Sequence, residues 1–316
     1  MFMAAVMAIA LSSAEPVTLQ RVFRQGETST YDFTTRITLD VREYPLETFI
    51  PVNERVNYTF SLTTERLKPD GAADVRFKRN KVTIRSGERF DEPPKEKKVG
   101  RDENIVFTLS RTNQVLSSRD ESPKPPASGG LRAAMLRHAS LAAAGVALDI
   151  IDDWIAQMHQ LAGFVNFFDL GPILPARPVE PGETWKETVG YAPITVAEGA
   201  DKGRTLNARI DYVYTFMGEV EQGGRSMYHI QGTYKHDADA AKYIEDLLTQ
   251  ERMVSPFKEI RLQMEGKVDY FLDKSTCSVI RISASANGYF GLTVKELPDA
   301  PVMEEKIKSS ASLTRK

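Results

Sequence analysis

Val56-Asn57-Tyr58-Thr59-Phe60-Ser61-Leu62 alternates apolar and polar side chains without a break. Successive side chains of a β-strand point to opposite faces, so Val56, Tyr58, Phe60 and Leu62 share one face, and Asn57, Thr59 and Ser61 share the other. Lys68-Pro69-Asp70-Gly71 follows as a turn: proline presets φ and glycine accepts a positive φ. Ala73–Ile84 returns, with Val75, Phe77, Val82 and Ile84 at its apolar positions. The stretch is therefore one arm of a long antiparallel hairpin with one face buried and one face polar.

The same text recurs. Tyr58-Thr59-Phe60 returns as Tyr214-Thr215-Phe216, and Gly26-Glu27-Thr28 as Gly182-Glu183-Thr184, both 156 positions on; Arg21 and Arg177 share that offset. Phe107, Thr112 and Val115 are spaced like Phe271, Thr276 and Val279, but 164 positions apart. The extra residues fit an insertion near Asp237–Thr249, where Ala240, Tyr243, Ile244, Leu247 and Leu248 form a helical apolar face behind Asp237 or Asp239 as N-cap. Leu206–Val220 reads as a strand with Leu206, Ala208, Ile210, Tyr212, Tyr214 and Phe216 on one face. The fold class expected is mainly β with α insertions. Two duplicated antiparallel β units, as curved sheets or half-barrels, are joined by an amphipathic linker helix, with one short helix inserted in the second unit.

The boundaries follow from composition. Residues 1–14 are an apolar run ending in small residues, with Ser12 and Ala14 placed as at a signal-peptidase site. They predict an export signal, although no Lys or Arg precedes Arg21. The run is shorter than the ~20 residues of a membrane span, and no cysteine follows it to carry a lipid. Residues 15–120 form the first β-rich unit, in which charged Ser86–Arg101 reads as a solvated loop. Residues 121–170 are a linker: a breaker-rich start, then a helix over Leu131–Ala162. The linker's stripe of Ala147, Ile150, Ile151, Trp154, Ile155 and Met158 opposes Asp149, Asp152 and Asp153. That helix either packs on a sheet, closes over an apolar cavity or binds a partner. Residues 171–294 are the second β-rich unit, with its helical insertion at 237–253. Pro172, Pro175, Pro178 and Pro181 recur every third residue, the period of polyproline II, and predict a stiff connector with one proline ridge. Residues 295–316 are charged and read as a mobile tail.

A formal charge of −2 gives no electrostatic pull toward nucleic acid. The single cysteine, Cys277, forms no intramolecular disulfide and reads as a packing residue. Asn57-Tyr58-Thr59 matches a glycosylation acceptor, but strand placement is the simpler account. No two of His138, His159, His229 and His236 have metal-ligand spacing, and no nucleophile elbow or phosphate loop is present. No catalytic residue, metal or cofactor is assigned. An enzyme would require His229, His236 and a carboxylate to converge in one cleft.

Leu174-Pro175, Pro178-Val179 and Gly182-Glu183-Thr184-Trp185, with Tyr270-Phe271-Leu272-Asp273 later, resemble a family of uncharacterised bacterial exported proteins and lipoproteins. The resemblance covers most of Leu19–Gly291. It implies β-rich halves and export to the periplasm or outside, and no activity. The functional expectation is a non-enzymatic cell-envelope protein with a structural or protein-interaction role. The alternatives are a carrier of an apolar ligand, such as lipid or lipoprotein acyl chains, and a hydrolase. For the carrier, Trp154, Phe164, Tyr214 and Phe216 are the candidate lining residues.

Overall fold

The computed structural model describes residues 15–80, 82–87, 95–99, 103–122, 171–191, 208–239, 241, 242, 245, 249 and 254–316. The expected signal segment 1–14 and the linker helix, with Trp154 and Phe164, lie outside them. Among the described residues, thirteen strands form one antiparallel sheet. They are β1 (Thr28–Glu43), β2 (Ile50–Leu67), β3 (Ala73–Arg79), β4 (Val82–Gly87), β5 (Lys95–Val99), β6 (Glu103–Leu109), β7 (Val115–Asp120), β8 (Thr184–Tyr191), β9 (Ala208–Gln222), β10 (Arg225–Asp239), β11 (Phe257–Asp273), β12 (Val279–Val294) and β13 (Met303–Arg315). The order across the sheet is β7-β6-β3-β2-β1-β13-β12-β11-β10-β9-β8, with β4 and β5 branching from β2. The two ends of this path, β7 and β8, do not pair with each other, so the sheet is open.

Two meanders lie side by side in this order, and β13 joins them. Residues 303–315 are thus a central strand and not a mobile tail. β13 pairs with β1 from Tyr31↔Arg315 to Glu43↔Met303, and with β12 from Arg281↔Thr314 to Leu292↔Met303. Alternation explains why it sits there. Ile307, Ala311 and Leu313 are buried while Lys306, Lys308, Ser310 and Ser312 are exposed, the pattern of a strand with one covered face.

Other expectations are corrected locally. The return strand continues to Asp239, past the expected helix start at 237, because β11 keeps offering partners as far as Asp239↔Arg261. Arg261 reinforces that register by donating to the Asp237 carboxylate. The described residues beyond with helical backbone are Ala241, Lys242, Glu245 and Thr249. Asp239 Oδ1 accepts from the Ala241 amide at 2.9 Å and the Ile260 amide at 3.0 Å, a capping geometry. Within the expected loop 86–101, Lys95–Val99 forms β5 and pairs with β4.

Two of the recurring signatures, at Gly26 and Gly182, occupy similar turns. Gly26 and Gly182 both have left-handed φ, +80° and +90°. Gly26 donates to Thr64 O, and Thr64 donates back to Glu27 O; Gly182 donates to Phe216 O, and Phe216 back to Glu183 O. Asn113 and Cys277, also 164 apart, are the two non-glycine residues with positive φ among the described residues. Arg177 pairs with Glu183 at 2.9 Å, whereas Glu27 takes Arg315 of β13 instead.

Candidate functional site

One face of the sheet is apolar across its full width. Phe107, Phe77, Phe60 and Tyr31 form an aromatic bank over β6, β3, β2 and β1, with successive ring centroids 6.5, 5.1 and 5.1 Å apart. Phe33 and Tyr58 stack beside it at 4.5 Å. On the far side, Tyr270, Tyr214 and Trp185 form a second bank over β11, β9 and β8, at 6.2 and 5.5 Å. Tyr214 also stacks on Tyr212, at 5.4 Å.

Between the banks the side chains are small. Ala311 and Ser309 of β13 lie beside Ala284 and Ala286 of β12, and Gly288 lies beside Ile307. The middle of the apolar face thus carries a strip of short side chains, buried at Ala286, Ser309 and Ala311, with Ile307, Leu313 and Ile282 beside it. Glycine widens the aromatic wall as well. A Cβ on Gly266 would stand 2.4–2.5 Å from Tyr234 ring atoms, and one on Gly232 would stand 3.0 Å from Tyr214. The tyrosine rings therefore lie flat over the neighbouring strand. Polar groups on this face are few. They include Thr35, Ser309 and Glu305, all buried. At the β3–β6 margin Arg79 pairs with Glu103 at 2.9 Å and covers the Tyr58 ring at 4.9 Å; burial pushes the Tyr58 hydroxyl pKa up.

One end of the face is sealed by two segments that are not strands. Leu19, Leu174 and Val179 are fully or almost fully buried there. Val17 and Val179 exchange backbone hydrogen bonds, and Arg21, Val22 and Leu174 donate to carbonyls of the turns at Arg111, Thr276 and Thr112. The Trp185 indole donates to Ile173 O at 2.8 Å. The prolines do not make one ridge: Pro172 and Pro175 are buried, and Pro178 and Pro181 are exposed. Leu174 and Val179 take the inward places, so the connector is also a plug.

The opposite face is held by ion pairs. Arg66, Lys68, Asp74, Val106, Thr108, Ser117, Ser118 and Arg119 line a cleft of about 240 Å³. Burial alone would raise the Asp74 carboxyl pKa, but the Thr108 hydroxyl, Arg66 and Lys68 outweigh it and hold it at about 2. The folded value lies below the ordinary aspartate value of about 3.9. Asp74 therefore stabilises the fold above about pH 4, and that contribution is lost as pH falls toward about 2. Asp74→Asn is expected to flatten this part of the acid limb, as read by urea denaturation at pH 5 and pH 2.5. An acid limb unchanged by the substitution would contradict the assignment.

His229 and His236 lie on opposite faces of β10. His229 Nε2 lies 2.9 Å from Asp269 Oδ1 on the charged face, and its ring stacks on Phe271 at 4.8 Å. His236 has the register of Tyr234 and Ile230, whose side chains occupy the apolar face. Among the described residues no group of three His, Cys, Asp or Glu is placed to hold a metal. Tyr214 and Phe216 are fully buried on the apolar side of β9. Cys277 is buried in its turn, and burial raises its thiol pKa. Asn57 Oδ1 accepts from the Thr34 hydroxyl and from Arg55. No described helix is long and apolar enough to cross a membrane.

No protein-family model matches the sequence, and no curated protein matches it. Among solved structures, one described as lipid–protein interactions in lipovitellin is similar over 93% of this chain and 25% of that one, at 12% identity and a TM-score of 0.41. The chain thus spans about a quarter of the lipovitellin it matches. DynF of the dynemicin biosynthesis pathway of Micromonospora chersina is similar over 98% and 91% of the two chains, at 8% identity and a TM-score of 0.21.

Proposed function

We propose that this is an exported, non-enzymatic binding protein of the cell envelope, and that its sheet carries an apolar chain such as a lipid or lipoprotein acyl group. The observation behind this reading is the strip of short side chains between the two aromatic banks. Ala284, Ala286, Gly288, Ser309 and Ala311 let an apolar cover pack closely on this part of the sheet, and an acyl chain is one that fits. The paired turn geometries at Gly26 and Gly182 support a duplicated unit as the origin of the two meanders. Native mass spectrometry of the protein isolated from its own host is expected to show bound lipid. A fluorescent fatty acid is expected to bind the delipidated protein and to be displaced by unlabelled fatty acid. Clean protein that leaves the fluorophore free in solution would overturn the carrier reading.

A protein-interaction role has its own observation. Tyr44, Leu46 and Ile50 are 64%, 51% and 44% exposed at the tip joining β1 to β2, a local concentration of apolar surface. A partner docking there would be lost from envelope pull-downs with Leu46→Glu. Retention of every captured protein by that variant would remove this reading.

A further inference from the structure

The apolar face is rolled at its plugged end. The Arg21 amide donates to Arg111 O at 2.8 Å and the Val22 amide to Thr276 O at 3.0 Å. Two successive residues thus hold the β6–β7 turn and the β11–β12 turn together, although four strands lie between β6 and β12 in the sheet. Gly171 sits between the same two ends: a Cβ there would stand 2.7 Å from Asn113 Nδ2 and 3.1 Å from Val279 Cγ2. Gly171, Pro172, Leu174 and Pro175 are buried, whereas Ala176, Arg177 and Pro178 are exposed, and Leu174 belongs to the same buried cluster as the face. The polypeptide therefore arrives at Gly171 from inside the roll and emerges after it. It leaves the sheet at the other end, where the Asn104 amide donates to Ser122 Oγ at 2.9 Å. From Asn104 to the turn at Ser110 is about 20 Å of strand, at roughly 3.4 Å per residue, so residues 123–170 have to cross that length. Midway across the face, Ala286, Ser309 and Ala311 are buried. Side chains this short do not cover one another, so other parts of the chain lie on them. Ser309 Oγ is buried without a hydrogen-bond partner; what packs on it presents apolar atoms.

We propose that the chain's own residues 147–158, which lie outside the described residues, are that cover, laid along the apolar face as a fixed second layer. The connection has to run the length of the sheet, and it finishes on the apolar side. As a helix, residues 147–158 would span about 18 Å at roughly 1.5 Å per residue, close to the distance to be crossed. Ile150, Ile151, Trp154, Ile155 and Met158 make one stripe, and Asp149, Asp152 and Asp153 oppose it. The stripe supplies the apolar atoms that the Ser309 hydroxyl meets, and the aspartates face away from the sheet. Short side chains on β12 and β13 let such a helix approach closely, and a sheet with one apolar face is stable only when a second layer covers it. The inference goes beyond the carrier reading and does not rest on it: the segment belongs to the fold with or without a bound lipid.

Acrylamide quenching of the whole delipidated chain, compared with Trp154→Phe, reads the exposure of Trp154. The Trp154 signal is expected to be quenched several-fold less steeply than in the urea-unfolded protein. A photo-crosslinking benzophenone side chain introduced at position 151 is expected to attach to β12 or β13 of the same chain, as mapped by mass spectrometry. Ile151→Asp, within the stripe, is expected to melt about 5 °C lower or more, whereas Asp153→Asn, on the other side, is expected to stay within about 2 °C of wild type. Trp154 quenched as freely as in the unfolded chain overturns the proposal and leaves the carrier reading standing. Adducts confined to other proteins overturn it and make the stripe a partner-binding surface. Adducts elsewhere in the chain, with none on the sheet, also overturn it. The quenching and the crosslink decide the matter even if Ile151→Asp does not fold.

Discussion

A chain ending at residue 301 is expected to lose its cooperative unfolding transition altogether. β13 bridges β1 and β12, so its removal leaves two long strands with unpaired edges in the middle of the sheet. Ile307 and Leu313 leave with it, and Ile37, Leu39, Gly288 and Ile282 lose their cross-strand neighbours. Each meander keeps its own hairpins but not a closed core. Ala311→Pro is a single-residue version, because proline removes a ladder donor and is tolerated only at sheet edges. Ala311 faces Thr35 on one side and Ala284 on the other, so the substitution falls in a central strand and is expected to lower the urea midpoint sharply. Circular dichroism followed through a urea titration reads both. A truncated protein that keeps a sharp transition at the wild-type midpoint would show that β13 is dispensable.

The second large effect is expected at Phe60. The ring is 3% exposed and lies between Tyr31 and Phe77, both at 5.1 Å, with Tyr58 at 6.1 Å. Phe60→Ala removes the link between the bank over β1 and that over β3 and β6. Loss of a buried phenylalanine to alanine costs about 3–5 kcal/mol, through lost burial and the cavity left behind. Aromatic contacts add about 0.5–1.5 kcal/mol per pair beyond burial, which places Phe60 toward the upper end. The readout is the urea midpoint at constant slope. Phe60→Leu, which refills most of the space, is expected to recover more than half of the loss. A Phe60→Ala protein within about 1 kcal/mol of wild type would mean that the bank is not continuous.

Strong alternation was readable wherever aromatic or long aliphatic side chains wrote it. Tyr31, Phe33, Ile37 and Leu39 of β1, and Ile210 to Phe216 of β9, are strands with the expected face buried. β13 was missed for a physical reason. Its covered side carries Glu305, Ser309 and Ala311 among the aliphatics, so a period of two is present without the hydrophobicity that usually marks it. The same small residues make the strip between the aromatic banks, so the feature that hid the strand also shapes the candidate site. Arg21 and Arg177 share the repeat's offset, yet the pairing differs: Arg177 pairs with Glu183, while Glu27 takes Arg315. Those partners stand up to 288 residues away, beyond any local pattern. Tyr214 and Phe216 were placed on the correct face because alternation is local.

The placement of β13 also sets the order of events during synthesis. Met303, which pairs with Glu43, is made about 260 residues later, a delay of roughly 13–52 s at about 5–20 residues/s. Throughout that interval β1 offers an open hydrogen-bonding edge beside an apolar face, the arrangement that invites pairing with another chain. A nascent polypeptide of this kind is exposed to mispairing, and its yield in a cell is expected to track chaperone supply more closely than the strength of the finished sheet.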